Sequence, residues 1–117
     1  MKPTDFEKDL LFKFFELEQI DSRELSESLD EIDKLDRTIE GSGLIIEFPK
    51  HPCLRVGAPG QTYRWGRFGG HINEEKIHVG FLFNIENGYI ESVEGYTYGE
   101  PWPEKIVRYD FYSYNDK

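Results

Sequence analysis

A single cysteine, Cys53, stands in the whole chain. No internal disulfide can form, no cysteine-built metal site can be assembled, and a reducing compartment is favoured. Histidine is also scarce. His51, His71 and His78 contain no His-x-x-x-His pair, and His71 and His78 are separated by what reads as a loop-strand junction, so no metal ion is expected. The chain has no phosphate-cradling glycine loop, no nucleophile elbow and no Cys/His pair at a telling spacing. Neither hydrolase nor transferase chemistry is expected, and no cofactor. Long apolar runs are missing too. Leu44-Ile45-Ile46 and Phe81-Leu82-Phe83 fall far short of the roughly 20 residues that a membrane span needs, and acids interrupt the N-terminal stretch where a signal peptide would be apolar. A soluble, cytoplasmic protein with no membrane partner is the expectation.

Basic charge is in deficit. Fourteen Lys and Arg oppose 23 Asp and Glu, a net charge of −9. Residues 1–40 carry six bases and thirteen acids, residues 41–70 four bases and one acid, and residues 71–117 four bases and nine acids. An acidic body therefore surrounds a basic middle. Most of this surface repels nucleic acid and attracts a basic protein, although solubility alone also accounts for such a charge.

What the chain does have is aromatic bulk: nine Phe, seven Tyr and two Trp in 117 residues. That suffices for one core, and residues 1–117 read as a single domain. Thr4-Asp5-Phe6-Glu7 fits a capping box, after which Phe6, Leu10, Phe14 and Leu17 recur at helical spacing, so a first helix is predicted to about Gln19. Asp21 or Ser22 can cap a second, shorter helix bearing Leu25, Leu29 and Ile32 on one face. From Leu35 the period changes to two. Gly41-Ser42-Gly43 divides a first hairpin, and residues 49–70 read as a long irregular connection with short strand pieces near Leu54 to Val56 and Thr62 to Trp65. A final edge strand falls within Val107 to Tyr114. The predicted class is α+β, two N-terminal helices packed on a mostly antiparallel sheet built from hairpins.

The second hairpin is the sharpest signal. Asn87-Gly88 occupies the two positions of a type I′ turn, which pairs Tyr89 with Glu86 and Ile85 with Ile90. Uninterrupted pairing then sets Phe83 opposite Ser92, Phe81 opposite Glu94 and Val79 opposite Tyr96, with Glu94 as the lone acid on an apolar, tyrosine-flanked face. A carboxylate so placed either has a raised pKa, accepts hydrogen bonds that compensate its burial, or is turned outward by a bulge. Glu91 falls beside Asn84 on the other face. In "YRWGRFGGHI", Arg64 and Arg67 alternate with aromatics, a composition suited to a packed or partner-facing loop; the segment lacks the pattern of an RNA-recognition strand.

The segment "KIHVGFLFNIENGYIESVEGYTYGEPWPEKI" resembles a recurrent pattern in small bacterial proteins: an apolar strand, an Asn-Gly or Asp-Gly turn, an apolar-Glu-x-Tyr strand and a proline-containing tail. Val79 to Ile85, Asn87-Gly88, Val93-Glu94-Gly95-Tyr96 and Pro101-Trp102-Pro103 carry the match, and the helix followed by a hairpin near Thr38 to Phe48 fits it loosely. Small acidic proteins of this kind look like immunity proteins, which bind and block the toxins of polymorphic or contact-dependent systems. The resemblance implies a cognate toxin domain as partner, basic in charge, nucleases included, and no catalytic residues. Partner-contact candidates are Glu91, Glu94, Tyr96 and Tyr98 on the hairpin and Arg64, Trp65 and Arg67 in the preceding segment. The competing expectation is a small-molecule-binding or hydrolytic domain that uses the face of Glu94 and the tyrosines.

Overall fold

In the computed structural model, which describes residues 1–114, helix α1 (Asp5–Leu17) and helix α2 (Arg23–Ser28) precede seven strands. These are β1 (Asp36–Glu40), β2 (Gly43–Glu47), β3 (Tyr63–Trp65), β4 (Phe68–Ile72), β5 (Ile77–Glu86), β6 (Tyr89–Thr97) and β7 (Tyr109–Ser113). They form one sheet in the order β1-β2-β6-β5-β4-β7, with β3 lying beside the turn-proximal end of β5. Every strand pairing among the described residues is antiparallel. The fold is α+β, and none of the described helices is long and apolar enough to cross a membrane.

Helix α1 starts where its capping box places it. Thr4 Oγ1 accepts from the Glu7 amide at 3.2 Å, and Glu7 Oε1 accepts from the Thr4 amide at 2.8 Å. The same carboxylate is almost wholly buried and also receives the Arg37 guanidinium from β1, with Arg37 Nη2 2.7 Å from Oε1. This two-pronged pair ties the helix start to the sheet's outer strand. Its loss would strand a buried charge, which typically costs about 3–5 kcal/mol. The helix ends at Leu17, two residues earlier than its periodicity suggests, because Gln19 turns into the left-handed region at φ +57° and the Ile20 amide closes back on the Phe15 carbonyl.

Along α1 the stripe Phe6, Leu10, Leu11, Phe14 and Phe15 is buried against one face of the sheet. Phe14 packs on Trp65 at 4.4 Å and on Phe83 at 4.9 Å between ring centroids, while Phe6 meets Phe81, Tyr109 and Phe111. Leu25, Leu29 and Ile32 extend the same core, with Leu29 in a single 3₁₀ turn after α2. Both helical segments thus supply one cover for one side.

Two expectations need correction. The connection over residues 49–70 ends inside β4, a strand flanked by β5 and β7, which its glycines disguise: at Gly69 and Gly70 any side chain would run into the Val79 carbonyl, the Tyr114 ring, the Asp110 carbonyl or the Phe111 ring. These glycines admit close neighbours rather than break the strand. The rest of that connection wraps the β5–β6 turn, where Gly88 accepts from the Val56 and Gly57 amides and donates to the Gln61 carbonyl.

The second correction concerns register. The Asn87-Gly88 turn forms with both residues at positive φ, +54° and +84°, and pairs Glu86 with Tyr89 and Ile85 with Ile90 as its length requires. Glu91 is then left without a counterpart on β5. Asn84 pairs with Ser92, Phe83 with Val93, Leu82 with Glu94 and Gly80 with Tyr96, one residue out of step with uninterrupted pairing. The extra residue is a β-bulge, and beyond it Val93, Gly95 and Thr97 take the buried side while Ser92, Glu94 and Tyr96 face away.

Replacing Gly88 by Val tests the turn. Positive φ resists a β-branched residue, at a cost of roughly 1–3 kcal/mol. A Cβ there would also stand 2.6 Å from the Gly57 carbonyl oxygen and 2.7 Å from that of Ala58. A lower urea midpoint, with the loss at the upper end of that range, is expected; an unchanged midpoint contradicts the wrapped turn.

Candidate functional site

The helices cover one side of the sheet, and strand alternation assigns what stands on the other. Ile45, Leu82 and Tyr96 occupy its middle and Tyr112 its β7 edge, with Tyr98 and Tyr114 continuing past the strand ends. Exposure agrees: Ile45 is 41%, Tyr96 38%, Tyr114 42% and Tyr98 64% exposed. The same face holds Asp36, Glu40, Glu47, Glu86, Glu94 and Asp110, and one arginine at a strand position, Arg64. It is an acidic surface with an aromatic centre.

Glycines fix the tyrosines in place. A Cβ at Gly80 would overlap the Tyr96 ring, and one at Gly69 would lie 2.7 Å from the Tyr114 hydroxyl, so both rings lie directly over bare backbone. Tyr96 and Tyr98 meet edge to face at 5.7 Å, and the Tyr98 and Tyr114 hydroxyls are 3.4 Å apart. Burial, followed by the influence of Tyr98, raises the pKa of Tyr96 and of Tyr114 above the ordinary phenol value; burial, Tyr98 and Asp110 do the same for Tyr112.

Next to the tyrosines, His71 and His78 are cross-strand partners with ring centroids 4.5 Å apart. They flank a tight turn at residues 73–76 rather than the loop-strand junction their spacing suggests. Asp110 Oδ1 accepts from His71 Nδ1 at 2.9 Å, and His78 Nδ1 is 3.4 Å from the Tyr112 hydroxyl. Among the described residues no three His, Cys, Asp or Glu side chains converge in a way that could hold a metal ion. Cys53 is buried, and desolvation, with Glu24 and Glu31 nearby, pushes its thiol up to about 11, which keeps it protonated and unreactive near neutral pH.

The structure brings together four of the seven contact candidates named from sequence. Glu94 accepts from Asn84 Nδ2 at 3.0 Å and from Arg64 Nη2 at 3.4 Å, while Arg64 Nε donates to Asn84 Oδ1 at 3.1 Å and Asn84 Nδ2 also reaches Ser92 Oγ at 2.9 Å. Glu94 is thus bonded on an open surface beside Tyr96 and Tyr98, and not enclosed against Phe81. The remaining three lie elsewhere. Trp65 is buried on the helix side, donating from Nε1 to Glu18 Oε2 at 2.9 Å, and Arg67 reaches the same oxygen at 3.3 Å. Glu91 is exposed at the bulge, where its carbonyl accepts from the Phe48 amide. Tyr112, Tyr114, His71 and His78 complete the face without having been named as contact candidates, the two histidines having been weighed only as metal ligands; the alternating tyrosines of "YDFYSY" were the available signal.

No protein-family model matches the chain, and no curated protein or solved structure is similar enough to it to count as a match.

Two outcomes follow from this geometry. Because the Glu94 pair is partly solvated, Glu94→Ala should cost less than about 1 kcal/mol in urea unfolding, as exposed ion pairs usually do. A larger loss would mean that the acid is a buried structural acceptor. Raised tyrosine pKa values make ionisation oppose folding: their stabilising contribution is complete below the ordinary phenol range near 10 and is lost as pH rises through the elevated folded-state values. Stability measured between pH 9 and 12 should therefore fall, and Tyr114→Phe should lessen the fall; an identical slope in both proteins contradicts the assignment.

Proposed function

We propose that this protein is a cytoplasmic inhibitor of the immunity type, which neutralises a basic toxin domain by binding it and carries out no catalysis itself. The observation that supports this reading is the uncovered sheet face, where fixed tyrosines stand among six acids and one arginine at strand positions. Tyrosine is among the residues that most often anchor protein interfaces, and an acidic surface steers a cationic partner into encounter. A toxin that handles nucleic acid carries the matching charge. Glu94, Arg64, Tyr96 and Tyr98 are the contact residues on this reading, Glu94 as an acceptor already oriented by Asn84. Trp65 supports the face from beneath through the core.

The rival reading, a small-molecule or hydrolytic site at Glu94, has less to support it. The clefts beside Phe6 and Trp102, beside Tyr89 and beside Arg108 do not include Glu94. A ligand site is ordinarily concave, whereas this carboxylate stands on a strand surface with two hydrogen-bonding partners.

The test uses the product of the neighbouring gene. Co-expression should suppress its toxicity and yield a complex whose association rate falls steeply as salt rises, with the dissociation rate far less affected. Tyr96→Ala with Tyr98→Ala should weaken that complex by at least about 2 kcal/mol while the urea midpoint of the free protein moves little. A complex indifferent to both salt and the tyrosine pair, or a neighbour that is neither toxic nor bound, would overturn the reading.

A further inference from the structure

A second surface lies on the helix side of the sheet, at its β1 margin. Strand β1 pairs with β2 alone, and among the described residues no backbone group of Asp36–Glu40 bonds to any other segment. The β1–β2 loop is the two residues Gly41-Ser42, with Gly41 at φ +58°, the arrangement of a type II′ hairpin. Such a loop makes Glu40 and Gly43 a hydrogen-bonded pair. Alternation then directs the amides and carbonyls of Asp36, Thr38 and Glu40 toward β2 and leaves those of Arg37 and Ile39 pointing outward.

Beside this free edge runs a cleft of about 610 Å³. Its apolar lining includes Phe6, Ile39, Leu44, Trp102, Ile106 and Val107, of which Ile39 is 49% and Val107 72% exposed. Exposed apolar side chains beside unpaired backbone are what an incoming strand requires.

We propose that the β1 edge and this cleft form a docking site for an extended basic segment of a partner protein, added to the sheet as a further strand. Side chains of an added strand alternate between its two faces. One set enters the cleft beside Ile39 and is apolar; the other lies across from Asp36 and Glu40 and is basic. The rim adds Asp5 and Glu104 against one base, Lys105, and the Arg37 charge is already taken up by Glu7. A second copy of this chain fits poorly. Two β1 strands paired antiparallel about Thr38 would set Asp36 against Glu40 at both ends, like charges directly opposed. Asp36 and Glu40 also belong to the tyrosine-bearing face, but the backbone groups of Arg37 and Ile39 and the cleft beside Ile39 do not, so protection of those two amides reports on this edge alone and not on the tyrosine pair.

Amide hydrogen exchange followed by NMR on the full chain decides the matter, with a synthetic peptide of alternating lysine and valine as probe and one of alternating glutamate and valine as control. In the free protein the Arg37 and Ile39 amides should exchange rapidly, and those of Thr38 and Glu40 slowly. Saturating Lys–Val peptide should slow Arg37 and Ile39 by about tenfold or more, and the control should not. The double variant D36K/E40K, folded by circular dichroism, should bind the Lys–Val peptide about tenfold more weakly. Unchanged exchange at Arg37 and Ile39, equal slowing by the acidic peptide, or slowing confined to the opposite edge at Tyr109–Ser113 would each overturn the proposal. So would protection of Arg37 and Ile39 in the free chain accompanied by a dimer in sedimentation, because a second copy would then occupy the edge.

Discussion

Glu91 has no counterpart on β5, and the character of the open face follows from that one surplus position. A strand's side chains alternate, so inserting a residue exchanges the two faces of everything beyond it. Without the bulge, Val93 would stand in solvent and Ser92, Glu94 and Tyr96 would press into Phe81, Phe83 and the helix above them. With it, the apolar residues return to the core and a carboxylate, an amide-bonded serine and a tyrosine come to the surface together. Hydrophobic burial selects this arrangement: a buried Val93 and a Gly95 lying beneath Trp102 are compatible with a close-packed interior, and an unpaired Glu94 is not.

The one-sided layering has an equally local origin. The amphipathic helix α1 supplies one wide apolar stripe, and the buried Glu7 carboxylate binds both the helix's own start and Arg37 of the outermost strand. The helix is thereby held at one margin of the sheet by charge and across its middle by Phe14 and Phe6 against the aromatic residues of β3, β5 and β7. None of the remaining described chain forms a helix for the other side. That side tolerates solvent because its side chains at strand positions are acids, Arg64, histidines, tyrosines, threonine, serine and asparagine, with Ile45 and Leu82 as the isolated aliphatics.

Much of this was legible in the sequence, for identifiable reasons. The capping box, the helical stripe, the Gly41-Ser42 hairpin and the Asn87-Gly88 turn are all specified by neighbours within a few residues, and each formed where its chemistry placed it. Position in space was harder to read where it depended on distant partners. A bulge leaves no mark in the residues that flank it, since Ile90-Glu91-Ser92 reads equally well as plain alternation. The glycines of β4 look like breakers until Tyr114, Phe111 and the Val79 carbonyl are seen lying against them. Arg37 showed nothing of its buried partner thirty residues earlier. Trp65 looked like a surface anchor from its loop-like setting, yet the core claims it.

The bare backbone under Tyr96 and Tyr114 has a thermodynamic consequence for any association on this face. An exposed side chain commonly gives up rotamer freedom when a partner immobilises it, at a cost of about 0.5–1.5 kcal/mol each. Rings that already rest against Gly80 and Gly69, with Tyr98 closing one side, have surrendered much of that entropy during folding. The two glycines therefore shift an ordering cost from the encounter to the folding reaction, where the cooperative energy of the whole core offsets it.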